Sequence, residues 1–244
     1  MKSLLKIILI KLLRPIKRAL TFLKINLSPE IDENPNTPYN LYKKEEVLNS
    51  YNYFKKFFKK SVLIKENEIN EYAIKLAKKN NKEIKGIFLE FGVFKGQSIN
   101  FFSSHVDEIF GFDSFEGLKE DWLGHRIKAG SYNLNKKIPK LKSNVIPIKG
   151  WIQDTLIKFL DEKNPKIRFV HIDTDTYETC DFILKNIKKN LCDKAIIKFD
   201  ELHNYPGWDV GEYKALTENF NDEEYFFRAF SADRFSAVIE IKKI

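Results

Sequence analysis

Several kinds of protein are excluded by what this chain lacks. It has only two cysteines, Cys180 and Cys192, in no metal or redox spacing. That rules out a disulfide framework and points to a reducing compartment. No His/Cys set with zinc spacing, no Ser/His/Asp or Cys/His arrangement and no internal repeat is present. The body of the chain also lacks excess charge. The formal net charge is +8, but Lys2, Lys6, Lys11, Arg14, Lys17, Arg18 and Lys24 all precede the first acid, Glu30. Removing these seven from 42 basic residues leaves 35 against 34 acidic ones. A basic groove for nucleic acid is therefore not expected.

The N-terminal segment lacks a long apolar run. In MKSLLKIILIKLLRPIKRALTFLK the longest uncharged apolar stretch is Ile7 to Ile10, far too short to span a bilayer. Lysines interrupt the apolar part and no small-residue cleavage site follows, which argues against a secretory signal. At helical periodicity the basic residues gather on one side, with Leu5, Ile8, Leu12, Ile16, Ala19 and Leu23 opposite. Two readings stay open for residues 1–24: a helix lying on an anionic membrane surface, or one docking on the domain or on a second subunit of a homo-oligomer. The location expected is cytoplasmic, with the inner face of the membrane as the site of any lipid contact.

With 244 residues the chain can form one sizeable α/β domain. Three parts are expected: a basic amphipathic helix at 1–25, a linker and helical extension at 26–81, and the main domain at 82–244. Pro29, Pro35 and Pro38 mark the linker, and 41–81 reads as helical. From Ile84 onward strands alternate with helices of crossover length, ending in two strands joined by a turn at 231–234. This pattern implies a parallel sheet covered on both faces, with ligands beyond the carboxyl ends of the strands.

The stretch LEFGVFKGQSINFF, 89–102, is a strand, a glycine turn and a helix start. It fails the dinucleotide fingerprint, because Glu90 and Lys95 stand where outer glycines are needed. It fails the phosphate-binding P-loop, because Gln97 stands where Lys is required. What remains is E-x-G-x-x-x-G-x-S. An acid before the turn repels a pyrophosphate but suits a cationic ligand, and S-adenosylmethionine carries an ammonium and a sulfonium.

Acids end four strands: Glu90, Asp113, Asp173 with Asp175, and Asp200 with Glu201. Asp113 lies 23 residues after Glu90, about where an acid on the second strand reaches a ribose. HIDTDTYE and FDELHNYPGW bring four carboxylates close together. Clustered carboxylates either take up protons or share a cation, and oxygen-only ligands suit Mg²⁺ or Ca²⁺. His171 reads as a core histidine, and His203 as a base or substrate contact. His125, in the long loop, carries no clear signal beyond that position.

Taken in order, LEFGVFKGQSINFF, GFDSFEGLKEDW, GWIQDTL, HIDTDTYE and FDELHNYPGWDVGEYKAL resemble the macrocin O-methyltransferase family of class I S-adenosylmethionine-dependent methyltransferases. The resemblance covers roughly Ile84 to the C-terminus. It implies a Rossmann-like α/β fold, with a seven-stranded, mostly parallel sheet, helices on both faces and an antiparallel last strand. It implies that Glu90, Gly92 and Gly96 hold the methionine end of the cofactor and that Ser98 supports that turn. Asp113 is then at the ribose, Ser114 and Phe115 surround the adenosine, and Trp151 flanks the adenine. Members with a metal use an acid ending the fourth strand and two ending the fifth, which match Asp173, Asp200 and Glu201. Glu201 departs from the usual second Asp. Leu118 to Tyr132 corresponds to a lid, with Trp122 placed to stack on a ring.

The activity implied is methyl transfer to a hydroxyl of a sugar or other glycan or small-molecule acceptor, assisted by Mg²⁺. Asp173 is the first choice of base, followed by Asp175 and His203. The competing readings are an NAD(P)-dependent sugar oxidoreductase and a non-catalytic nucleotide-binding module with a membrane helix. The failed dinucleotide spacing weighs against the first and the acid cluster against the second.

Overall fold

The structure, a computed structural model, describes residues 36–80 and 82–243. The basic helix expected at 1–25 and most of the linker lie outside the described residues. Two compact units divide the chain, Met1–Leu41 and Tyr42–Ile244. Of the first, only 36–41 are described. Among the described residues no helix is long and apolar enough to cross a membrane.

The elements run α1 (Pro38–Phe58), β1 (Val62–Ile64), α2 (Glu66–Lys79), β2 (Ile87–Phe91), α3 (Gln97–Ser103), β3 (Ile109–Asp113), β4 (Val145–Lys149), α4 (Ile152–Lys163), β5 (Ile167–Ile172), α5 (Tyr177–Ile187), β6 (Leu191–Phe199), α6 (Glu212–Asn219), β7 (Tyr225–Ser231) and β8 (Ala237–Ile241). One sheet holds all eight strands in the order β1-β7-β8-β6-β5-β2-β3-β4. Only β8 runs against the rest, paired antiparallel with both β6 and β7.

The seven expected strands are present, and β1 is an eighth. The sequence reading of 41–81 as helical fails here. Val62, Leu63 and Ile64 are a short β-branched-rich run that pairs in parallel with Ala229, Phe230 and Ser231 at the sheet edge. Three residues are too few to show a strand period, so tertiary pairing decides their state.

Central strands are apolar on both sides because helices cover both faces. Leu89, Phe91, Val170 and Ile172 face the larger core, which α4, α5 and α6 close with Leu156, Ile183 and Leu216. Phe88, Phe169 and Ile196 face the other way, toward Ile69, Ala73, Ile74 and Ala77 of α2 and Ile99 and Phe102 of α3. The α2 positions recur every three to four residues, so one helical stripe is buried. Each fully buried Ile or Phe side chain contributes about 1.5–3 kcal/mol. This burial fixes the strands in register and holds their carboxyl ends at one edge.

Candidate active site

That edge carries a cavity of about 590 Å³. Its first wall is the glycine turn after β2. Gly92 has φ +88°, and a Cβ there would lie 1.7 Å from the Asp173 carbonyl oxygen. Only glycine allows the ends of β2 and β5 to meet this closely. Gly92 N–H donates to Phe112 O at 3.0 Å and Asp173 N–H to Phe91 O at 2.9 Å, so three strand ends are tied together. Gly96, at φ +78°, starts α3. Gly92 lines the cavity; Gly96, Glu90 and Ser98 do not.

Glu90 is fully buried behind the turn. Ser98 Oγ donates to its Oε1 at 2.8 Å, and His171 Nδ1 lies 3.1 Å from its Oε2. Burial pushes its pKa up, against the opposing pull of His171 and Ser98. Glu90 and Ser98 thus brace the glycine turn from beneath, and the direct contact with a cofactor expected of Glu90 is not what the cavity offers.

Asp113 lines the cavity at the end of β3. Its Oδ2 accepts N–H groups of Val93 at 2.8 Å and Phe94 at 2.7 Å, and its Oδ1 accepts from Phe115 at 2.6 Å. A carboxylate has about four acceptor positions, so one remains toward a ligand. Ser114 also lines the cavity, with its Oγ accepting the Glu116 N–H at 3.0 Å. Phe115 does not: it turns into the α2–α3 core with φ +57° and is 1 % exposed. Trp151, just before α4, lines the same side, and Lys119 Nζ sits 5.8 Å from its ring centroid.

Asp173, Asp175 and Glu201 form the floor, with one oxygen of each lying within 4.8 Å of the others. Burial pushes up the pKa of Asp173. Burial and the adjacent Asp173 push Asp175 up to about 8. Burial, then Asp173 and Asp175, push Glu201 well up. Like charges held out of water favour a shared proton or a bound cation. Asp175 is also held at φ +62°, a strained position of the kind found at functional sites.

Asp200 lines the cavity too, but it groups within 4.8 Å of Asp173 and His171 rather than with Glu201. Its Oδ1 is ion-paired with Lys198 and lies 3.3 Å from His171 Nε2. Asp175 takes its place beside Asp173 and Glu201. The reason is the i, i+2 period of β6, which sets Lys198 on the same face as Asp200. The floor fits a hard divalent cation. Its donors are oxygen only, and Glu201 Oε2 is buried with no hydrogen-bond partner.

His203 is not at the site. It is 3 % exposed, packed among Phe54, Phe58 and Phe230 at ring distances of 5.1–5.8 Å, and its Nε2 donates to Ser236 O at 3.2 Å. Burial pushes its pKa down to about 4. A loop position in sequence gave no sign of this packing.

The lid segment does reach the cavity through Leu118, Lys119, Trp122, His125, Ile127 and Tyr132. Trp122 already stacks on His125, with centroids 3.9 Å apart and planes at 23°. One face of the indole is therefore occupied within the lid. Tyr132 has its pKa pushed up to about 12 by burial and by Asp175, Glu201 and Asp173.

Glu66 and Arg234 are among the lining residues that escaped sequence reasoning. Glu66, in the first turn of α2, accepts from Ser236 Oγ at 2.6 Å, and its charge is felt at Asp173. Arg234, in the β7–β8 turn, lines the same side. An acid opening a helix and an arginine in a turn look like ordinary surface positions. The pairing of β1 with β7 brings Glu66 to the cavity, and the pairing of β8 with β6 and β7 brings Arg234.

Residues 89–202 match the model of a methyltransferase domain. No curated protein matches the chain by sequence. Among solved structures, the calicheamicin methyltransferase CalS11 is 20 % identical with a TM-score of 0.60, over 84 % of this chain and 87 % of that one. An apo structure of CalS11, a TDP-rhamnose 3'-O-methyltransferase, gives a TM-score of 0.53 at 20 % identity over 84 % and 88 %. The O-methyltransferase NovP gives 0.54 at 16 % identity over 72 % and 80 %. The matched segment holds the glycine turn, Asp113 and the acids from Asp173 to Glu201, and the sheet has the Rossmann-like order of class I methyltransferases: the chain is an enzyme with a methyltransferase domain.

Proposed function

We propose that this enzyme is an S-adenosylmethionine-dependent O-methyltransferase of the macrocin O-methyltransferase type, acting on a hydroxyl of a sugar or glycoconjugate. The observation that carries the reading is the close approach of the Gly92 turn to the Asp173 backbone, beside the Asp173 and Asp175 carboxylates. The sugar class is supported by the likeness to CalS11, a TDP-rhamnose 3'-O-methyltransferase.

The cofactor supplies a methyl group on a sulfonium, already a good leaving group. The chain must then position an acceptor oxygen and take its proton. Gly92, Asp113, Ser114 and Trp151 form the donor side. Glu66, Arg234, Ser236 and the lid form the acceptor side. Between them, Asp173 and Asp175 repel each other, so that one holds a proton while the other remains a base. Asp173, Asp175 and Glu201 would hold Mg²⁺, and a cation there would lower the pKa of an acceptor hydroxyl.

The basic segment 1–24 would attach the enzyme to an anionic membrane surface or a second subunit, in the cytoplasm. Retention on acidic liposomes that is lost in high salt supports the first; a changed oligomeric state on truncation supports the second.

The primary test is calorimetry with S-adenosylhomocysteine and NAD, followed by methyl-transfer assays on sugars and sugar nucleotides. Homocysteine-nucleoside binding without NAD binding, and acceptor-dependent methylation, are expected. NAD binding alone would overturn the reading.

A further inference from the structure

Lys198 near the end of β6 is fully buried, and methyl transfer as described makes no use of it. An ammonium out of water is costly unless it is paired. Its partners form a row across the sheet. Glu90 on β2 stands in register with His171 on β5, and His171 with Lys198 on β6. All three side chains lie on the α2–α3 face, where Phe102 packs on the His171 ring.

The row is held by a chain of close polar contacts. Ser98 Oγ donates to Glu90 Oε1. His171 turns Nδ1 toward Glu90 Oε2 at 3.1 Å, leaving Nε2 to face Lys198 Nζ at 3.2 Å. The ammonium closes the row by pairing with Asp200 Oδ1. Lys198 is thus a cation built into the edge of the acidic floor. Its charge also reaches Asp173 and Glu201.

We propose that Lys198 is an internal counter-ion that withholds Asp200 from the floor and so weakens divalent-cation binding by Asp173, Asp175 and Glu201. Two effects act in the same direction. The ammonium occupies an oxygen that would otherwise ligate the ion, and its fixed charge repels a second cation nearby. The site then takes a hard divalent cation weakly and exchangeably. This rests on the cation reading given above. Lys198 is here a positioning residue, acting through Asp200.

The test is titration of MgCl₂ into the full-length, chelator-stripped protein by calorimetry, with Mn²⁺ paramagnetic resonance as a second readout. Lys198→Met keeps the apolar stem and removes the charge, and Lys198→Gln keeps a hydrogen-bond donor toward His171. Both should bind Mg²⁺ at least about tenfold tighter than the natural protein, since one carboxylate is gained and one repelling charge is lost. Adding Asp200→Asn to Lys198→Met should return most of that gain. A lysine that merely fills the core would leave ion affinity unmoved. Unchanged or weaker Mg²⁺ binding in whichever of the two single variants folds, with binding by the natural protein intact, overturns the proposal and leaves the cation reading standing. No Mg²⁺ or Mn²⁺ binding by any of these proteins overturns both. Loss of folding in both variants would make the lysine part of the folding core and also overturn the proposal.

Discussion

On the β2–β3 side of the cavity, Asp113 has three of its acceptor positions filled by backbone N–H groups at 2.6–2.8 Å. On the β5–β6 side, Asp173, Asp175 and Glu201 face one another, and Glu201 Oε2 has no partner at all. The first carboxylate is satisfied by the fold. The other three are left with electrostatic demands that the chain does not meet. The β2–β3 wall is thus preorganised, while the floor is open to a proton, a cation or a substrate. The contrast separates carboxylates that the fold satisfies from carboxylates that it leaves open.

The largest break in that contrast should come from Gly92→Ala, which joins the two sides. The new Cβ would overlap the Asp173 carbonyl, at a φ that disfavours any side chain. A loss of roughly 4 kcal/mol or more is expected, the range reserved for severe steric conflicts. Chemical denaturation measures it; a variant of natural stability would mean that the two strand ends are not in contact.

Asp173→Asn sharpens the comparison from the reactive side. Turnover should fall by about 10²–10⁴, the usual contribution of a general base, with affinity for S-adenosylhomocysteine retained. Asp113→Ala should do the reverse. Charge-assisted hydrogen bonds of about 1.5–3 kcal/mol each hold the turn, so affinity should drop roughly ten- to a hundredfold. If calorimetry shows the affinity loss in Asp173→Asn and not in Asp113→Ala, the assignment of the two sides is inverted.

The pH response separates the sides further. The Asp175 pKa lies at about 8 in the folded chain against an ordinary 3.8, so folded protein keeps a proton that unfolded protein releases. Its contribution to stability is full below the ordinary value and lost as pH rises through about 8. In chelated protein the melting temperature should decline across that window, by roughly 2–4 °C per kcal/mol lost. Asp175→Asn should flatten the decline, and an identical slope in both proteins would show that Asp175 does not carry it.

The smallest effect should be on catalysis by His203→Gln. The ring is sealed among Phe54, Phe58 and Phe230, so turnover should stay within about threefold while stability falls by roughly 1–3 kcal/mol, as for a buried side chain whose packing and hydrogen bond are disturbed. A collapse of turnover in folded protein would return His203 to the list of bases.

The sequence by itself determined the alternating α/β order, the glycine corner and the presence of acids at four strand ends. These are local signals: glycine is needed where φ is positive, and strand periodicity carries a strand-end residue to the sheet's carboxyl edge. Tertiary structure alone decided which acids meet. Asp175 joins Asp173 and Glu201, whereas Asp200 meets Asp173 and His171 and pairs with Lys198, because strand register and a buried ammonium set those distances. It also decided that β1 adds to the sheet, that Glu66 reaches the cavity and that His203 does not. Pairing across long sequence separations leaves no period to read, and the burial of a polar side chain depends on neighbours that the chain brings together only on folding.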